Sequence, residues 1–129
     1  MQSLPSGYRA LILGASGAIG AAIASQLEAD PRCAAVAALS RSSSPAVDFG
    51  ALDSIAVAAD SMRQQGPWHL IVIATGMLSG PTGTPEKRLA DLNAAHMAAS
   101  FTINTIGPAL ALAHFSQLLP KNEHGVLAV

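Results

Sequence analysis

Short apolar runs alternate along the chain with amphipathic or alanine-rich stretches, and turn residues separate them. Tyr8 to Leu13 is apolar almost throughout, as a strand is when both faces of its sheet are covered. Ala18 to Ala29 reads as a helix of small residues that Asp30-Pro31 stops. Ala34 to Leu39 is a second strand, Ala46 to Phe49 a short third, and His69 to Ala74 a fourth. Between them, Asp53 to Gln65 sets Ile55, Ala58, Ala59 and Met62 at helical spacing and closes at Gly66-Pro67. Glu86 to Leu119 is mostly helical, as two helices meeting near His96 to Phe101. Phe101, Thr105, Pro108, Leu112, Phe115 and Leu119 fall on one face of it. Val126 to Val129 begins a fifth strand, and Met1 to Gly7 reads as a disordered leader.

This alternation predicts an α/β fold: a Rossmann-type, doubly wound parallel sheet with right-handed crossovers and helices on both faces. The whole chain, 1–129, is one domain whose sheet breaks off within its fifth strand. Half the residues are hydrophobic and only 12% are charged, so most elements are expected to be buried on more than one side. Seven basic residues against eight acidic ones leave no basic patch for nucleic acid, and 4% aromatics are too few for a base-stacking surface. The single cysteine, Cys33, forms no internal disulfide and fits a reducing, cytoplasmic compartment. Arg9 before an apolar stretch superficially resembles a secretion leader. The glycines that interrupt that stretch, and the strand that follows its helix, argue against one. No apolar run approaches the ~18 residues of a spanning helix.

The chemistry is concentrated where the first strand ends. Gly14, Gly17 and Gly20 stand at three-residue spacing between a strand and a helix, with Ser16, Ala18 and Ile19 between them. Glycine allows a sharp turn and close approach, and a helix start offers free N–H groups to a phosphate. About twenty residues on, Ser40, Arg41 and Ser42 offer a cation flanked by hydroxyls where a carboxylate would select a ribose 2′-hydroxyl. Arg41 suits the 2′-phosphate of NADP, with NAD also possible; a solvated loop arginine is the other reading. Asp48, before Phe49, suits an adenine amino group or the N–H groups of its own turn. Ala74, Thr75 and Gly76 give small residues against which a ring or ribose can lie, or simply a turn. The Gly-, Pro- and Thr-rich loop Thr75 to Pro85 is long for a compact domain and is expected near a ligand. Pro108 cannot donate to the carbonyl of Asn104, which leaves that oxygen free for an ordered water, unless the helix merely kinks or restarts at Gly107-Pro108. His69, His96, His114 and His124 lack metal-ligand spacing and read as surface or element-end residues; no metal site is expected.

Taken together, these residues resemble the short-chain dehydrogenase/reductase family over nearly the whole chain. Gly14-Ala15-Ser16-Gly17-Ala18-Ile19-Gly20 is similar to its Gly-x-x-x-Gly-x-Gly cofactor turn, and Ser40-Arg41 to its NADP-selecting position. Asp48 matches its adenine-facing aspartate, Ile73-Ala74-Thr75-Gly76 its Asn-Asn-Ala-Gly, and Phe101 to Pro108 its central helix. The resemblance implies hydride transfer between a nicotinamide and a carbonyl or alcohol carbon of a small-molecule substrate. It makes Asn104 part of a catalytic proton relay through a water on its main-chain carbonyl. It also implies a homo-oligomer contacting through Glu86 to Leu119. Ala18 replaces the middle glycine of the turn, and Ile73 and Ala74 replace two asparagines. The family's catalytic serine and Tyr-x-x-x-Lys pair have no counterpart: Tyr8 is the only tyrosine, and Lys87 and Lys121 are the only lysines. The 129 residues are therefore expected to hold the cofactor portion and to be inactive alone; a non-catalytic NADP-binding or partner-binding module is the alternative.

Overall fold

The computed structural model describes residues 3–129. Four parallel strands, β1 (Tyr8–Leu13), β2 (Cys33–Leu39), β3 (Leu70–Ile73) and β4 (Val126–Ala128), form one sheet in the order β2-β1-β3-β4. Helices α1 (Ala18–Glu28) and α2 (Asp53–Arg63) begin at the residues expected for them. The third segment expected as a strand, Ala46 to Phe49, is an irregular stretch that enters a turn at Phe49 and pairs with no strand, so the strand at Val126 is the fourth. Its backbone is engaged elsewhere: the Val47 N–H donates to Ser40 O at 2.9 Å and the Asp48 N–H to Ser54 Oγ at 2.8 Å. β2 consequently forms one edge of the sheet, and Ala34 and Ala38 are exposed there.

Successive strand residues point to opposite faces, which divides the core in two. Leu11, Leu13, Ile71 and Ile73 pack with Ile55, Ala58, Ala59 and Met62 of α2 and with Ala111 and Phe115. Ala10, Ile12 and Leu70 pack on the other face with Ala24 and Leu27 of α1. Of the segment expected as a leader, Met1 and Gln2 lie outside the described residues. The rest of it is not a leader, because Leu4 is only 2% exposed and joins Tyr8, Ile12 and Leu27 in the second core. The Arg32 guanidinium donates to Leu4 O, and the Gly7 N–H to Arg32 O at 2.8 Å, so this segment is fastened at both ends.

The second half of the chain departs most from the expected pattern. Glu86 to Asn93 holds one 3₁₀ turn (Leu89–Asp91) and no longer helix. Helix α3 (Ala94–Phe101) starts where Asn93 Oδ1 accepts the His96 N–H at 3.0 Å, a side-chain N-cap. A π-helical turn, Thr102–Ile106, then joins α3 to α4 (Gly107–Phe115). Pro108 lacks an N–H and its ring crowds the carbonyl four residues back, and the helix answers by widening ahead of it. The Gly107 N–H reaches Thr102 O, five residues back. The extra residue shifts the phase of the apolar face. Phe101, Thr105 and Leu112 are exposed, while Gly107, Pro108, Ala111, Phe115 and Leu118 are buried. Two of the histidines read as surface or element-end residues stand at element ends but are buried: His69, just before β3, at 8% exposure and His96, in the first turn of α3, at 4%.

Leu4→Ala is expected to lower unfolding free energy by about 2–4 kcal/mol in urea titration, whereas a disordered leader would give a change near zero. The Arg32 N–H, then the Tyr8 hydroxyl (2.8 Å from Oδ2), hold the Asp30 carboxyl below its ordinary value. A lowered folded pKa stabilises the fold above the ordinary carboxylate range, and the gain is lost as pH falls through the folded value. Asp30→Asn should therefore flatten the acid limb of melting temperature against pH, between about pH 2 and 5.

Candidate cofactor site

Three loops leave the carboxyl ends of β1, β2 and β3 side by side, and a cleft of about 520 Å³ lies among them. Ligands bind at this edge of open α/β sheets because the strand order reverses there and the crossovers diverge. The first loop is the glycine turn. Gly14 has φ of +87°, and a Cβ on it would lie 2.7 Å from Ala74 O, so both its conformation and its surroundings exclude a side chain. The N–H groups of Gly14 and Ala15 donate to Leu39 O at 2.9 and 3.0 Å, which ties the turn to β2. A Cβ on Gly20 would fall on the Gly14 carbonyl, so α1 can sit this close to the turn only with glycine there. Gly17 is the N-cap of α1, and no side chain accepts from the first-turn N–H groups. That leaves donors at Ala18, Ile19 and Gly20 with no side-chain cap at the positive end of the helix.

The second loop is knotted by serines. Ser43 Oγ accepts the Ser40 N–H at 2.8 Å and lies 2.9 Å from Ser40 O and 2.7 Å from Pro45 O as a donor. Ser40 Oγ and Ser42 Oγ are 3.2 Å apart. This loop presents Arg41 at the surface, and among the described residues no carboxylate or carbonyl engages its guanidinium. Asp48 Oδ1 accepts the Gly50 N–H at 2.8 Å, so the aspartate does stabilise its own turn while also lining the cleft. Phe49 is 4% exposed, and its ring lies on Gly107 so closely that a Cβ there would meet Cγ at 2.8 Å. It is first a core residue.

The third loop, Thr75 to Pro85, closes the cleft with Met77 to Pro81, as its length and composition suggested. Thr75 Oγ1 is buried with no hydrogen-bond partner among the described residues. Asn104, from the π turn, grips this loop through its side chain. Its Oδ1 accepts the Met77 N–H at 2.7 Å, and its Nδ2 donates to Met77 O at 2.8 Å and to Ser100 Oγ at 3.1 Å.

The cleft thus brings together Gly14, Ser16, Gly17, Ser40, Arg41, Asp48, Phe49, Ala74, Thr75 and Gly76 from the residues expected to form the site. Ala18, Ile19, Gly20, Ser42 and Asn104 do not line it. Ile19 projects outward at 72% exposure, and Gly20 is buried in the packing of turn on helix. Val47, Gly50 and Ile103 line it without having been expected, because nothing local in the sequence marks them. Tyr8 opens β1 at the end of the sheet away from the cleft; burial, then Asp30, push its hydroxyl above the ordinary range. Among the described residues no cluster of three metal-ligating side chains occurs, and no helix is long and apolar enough to cross a membrane.

Comparison with solved structures identifies the fold. The chain has the fold of about half of a short-chain dehydrogenase/reductase. It is similar to protein lin1944 from Listeria innocua at 25% identity and a TM-score of 0.68, over 90% of this chain and 52% of that one. It is similar to a short-chain dehydrogenase from Burkholderia cenocepacia J2315, solved in complex with NADP, at 22% identity and a TM-score of 0.71, over 95% of this chain and 51% of the other. A Serratia marcescens short-chain dehydrogenase/reductase variant (F98A/F202L) matches at 16% identity and a TM-score of 0.73, over 95% and 57%. The chain spans about half the length of these structures. No protein-family model and no curated protein matches it.

Asn104→Ala should free the Met77 loop: amide hydrogen exchange at Met77 rises by about tenfold or more, with β1 and β3 amides unchanged.

Proposed function

We propose that the cleft binds a nicotinamide dinucleotide, with preference for NADP, as the cofactor portion of a short-chain oxidoreductase. The observation that carries this is the unengaged guanidinium of Arg41 at the rim of a cleft that the glycine turn of α1 also lines. The residues present fit such a group. The uncapped first turn of α1, with Gly14, Ser16 and Gly17, would take the diphosphate, and Arg41 with Ser40 and Ser42 the 2′-phosphate. Asp48, whose Oδ2 stays outside its turn bond, would face the adenine. Ala74, Thr75 and Gly76 would lie against a ribose, with the Thr75 hydroxyl gaining the partner it lacks.

The cofactor would supply hydride exchange with a carbonyl or alcohol carbon of a small-molecule substrate. The part of this chain in that reaction is to bind and orient. Asn104 is a positioning residue through its side chain, which fixes the lip of the cleft, and its carbonyl, which Pro108 cannot engage, is where a relay water would sit. The Tyr-x-x-x-Lys acid–base pair of the family has no counterpart in these residues, so we expect binding without turnover. A cytoplasmic homo-oligomer, paired through the exposed side of α3 and α4, completes this reading; Phe101, Ile106 and Leu112 are 59%, 45% and 40% exposed there.

Calorimetry of the 129-residue chain tests it. NADPH is expected to bind more tightly than NADH. Arg41→Ala should weaken NADPH by roughly tenfold to a hundredfold, or about 1.4–2.8 kcal/mol, and leave NADH nearly unchanged. Equal losses for both cofactors would remove the 2′-phosphate role, and no binding of either by the folded chain would remove the reading altogether.

A further inference from the structure

A second hollow, of about 220 Å³, lies behind the cleft, and Met77 and Leu78 wall both. Of its four polar lining residues, Ser100 and Asn104 bond each other, and His96 and Glu86 are the ionisable pair. His96 is 4% exposed, its Nδ1 lies 3.2 Å from Thr82 Oγ1, and its Nε2 makes no hydrogen bond with the described residues. Glu86 Oε1 is buried and has no hydrogen-bond partner among the described residues. A carboxylate oxygen held out of water is costly unless a donor reaches it. No lysine or arginine stands on the wall to provide one. Glu86 is the one acidic residue on the wall; Pro85, Met97 and Phe101 supply apolar surface beside it, Phe101 with an aromatic ring of the kind cations favour, and Ser100 and Asn104 complete the wall.

We infer that this hollow binds the protonated amino group of a small amine bearing a short apolar chain. Glu86 takes the charge, His96 Nε2 accepts a second N–H, and the methionines and Phe101 cover the chain. That this amine is one end of the substrate rests on the oxidoreductase reading; the binding itself does not.

The ε-methyl groups of Met77 and Met97 are reporters on the wall, and Met62, buried against α2, reports the fold. In methyl NMR, n-butylammonium should shift Met77 and Met97 saturably and leave Met62 in place. Butanol and butyrate should bind about tenfold more weakly or not at all, and Glu86→Gln should weaken butylammonium by about tenfold or more. Butanol or butyrate binding as tightly as the amine, or Glu86→Gln without effect, overturns the assignment. If the variant loses the native Met62 resonance, the comparison of the three probes on the unaltered chain decides alone. NADPH titrated into the same sample separates the two readings. Dinucleotide binding without amine binding defeats this inference only, and amine binding without dinucleotide binding defeats the cofactor reading only.

Discussion

The backbones of Gly14 and Ala74 approach so closely that no Cβ fits between them. Everything at the carboxyl edge of the sheet depends on that contact. It lets the loops after β1 and β3 run together, and it turns the chain so that α1 starts from Gly17 at the wall of the cleft. Gly20 repeats the constraint one helical turn later, where the helix backbone rests on the Gly14 carbonyl. Two positions without side chains thus set the uncapped start of α1 next to the turn that lines the groove. Ala18, between them, is exposed and can carry its methyl.

A second constraint acts from the far side of the cleft. Pro108 withdraws one donor from the helix, and the resulting π turn sets Asn104 outside the regular helical course. Its side chain bonds both the N–H and the carbonyl of Met77, as a neighbouring strand would. A loop of eleven residues with a single short bridge, Gly80 to Gly83, is thereby held where it can form a wall. The reading of Asn104 from sequence concerned its main chain; the structure adds a side-chain role that the proline argument did not contain.

The elements legible in the sequence were those whose cause is local. β1, α1 and α2 follow from apolar periodicity and from stops such as Asp30-Pro31, and their bounds matched within a residue or two. The glycine turn and Arg41 were legible because spacing alone sets them past the ends of strands. The misreadings share a different cause, contacts between residues far apart in sequence. Ala46 to Phe49 has the composition of a strand, but Ser40 and Ser54 take its hydrogen bonds. Phe49 is held by Gly107, and Leu4 by Tyr8 and Leu27. Pro108 and Phe115 are buried as expected, but Phe101 and Thr105 were placed on the same face because a helical wheel drawn through Pro108 assumes an unbroken period, and the π turn adds one residue to it. Where a departure from regularity is absorbed depends on what the helix packs against, and local sequence does not record that.

Met77 and Leu78 belong to both hollows, and Asn104 holds the first of them by its backbone. A partition shared by two chambers cannot yield to one occupant without reshaping the other chamber. Thermodynamic linkage then makes the influence mutual: whatever factor one guest changes the grip on its neighbour, the neighbour returns. Asn104 bonds the backbone of that partition, so coupling between occupants of the two chambers would pass through its amide.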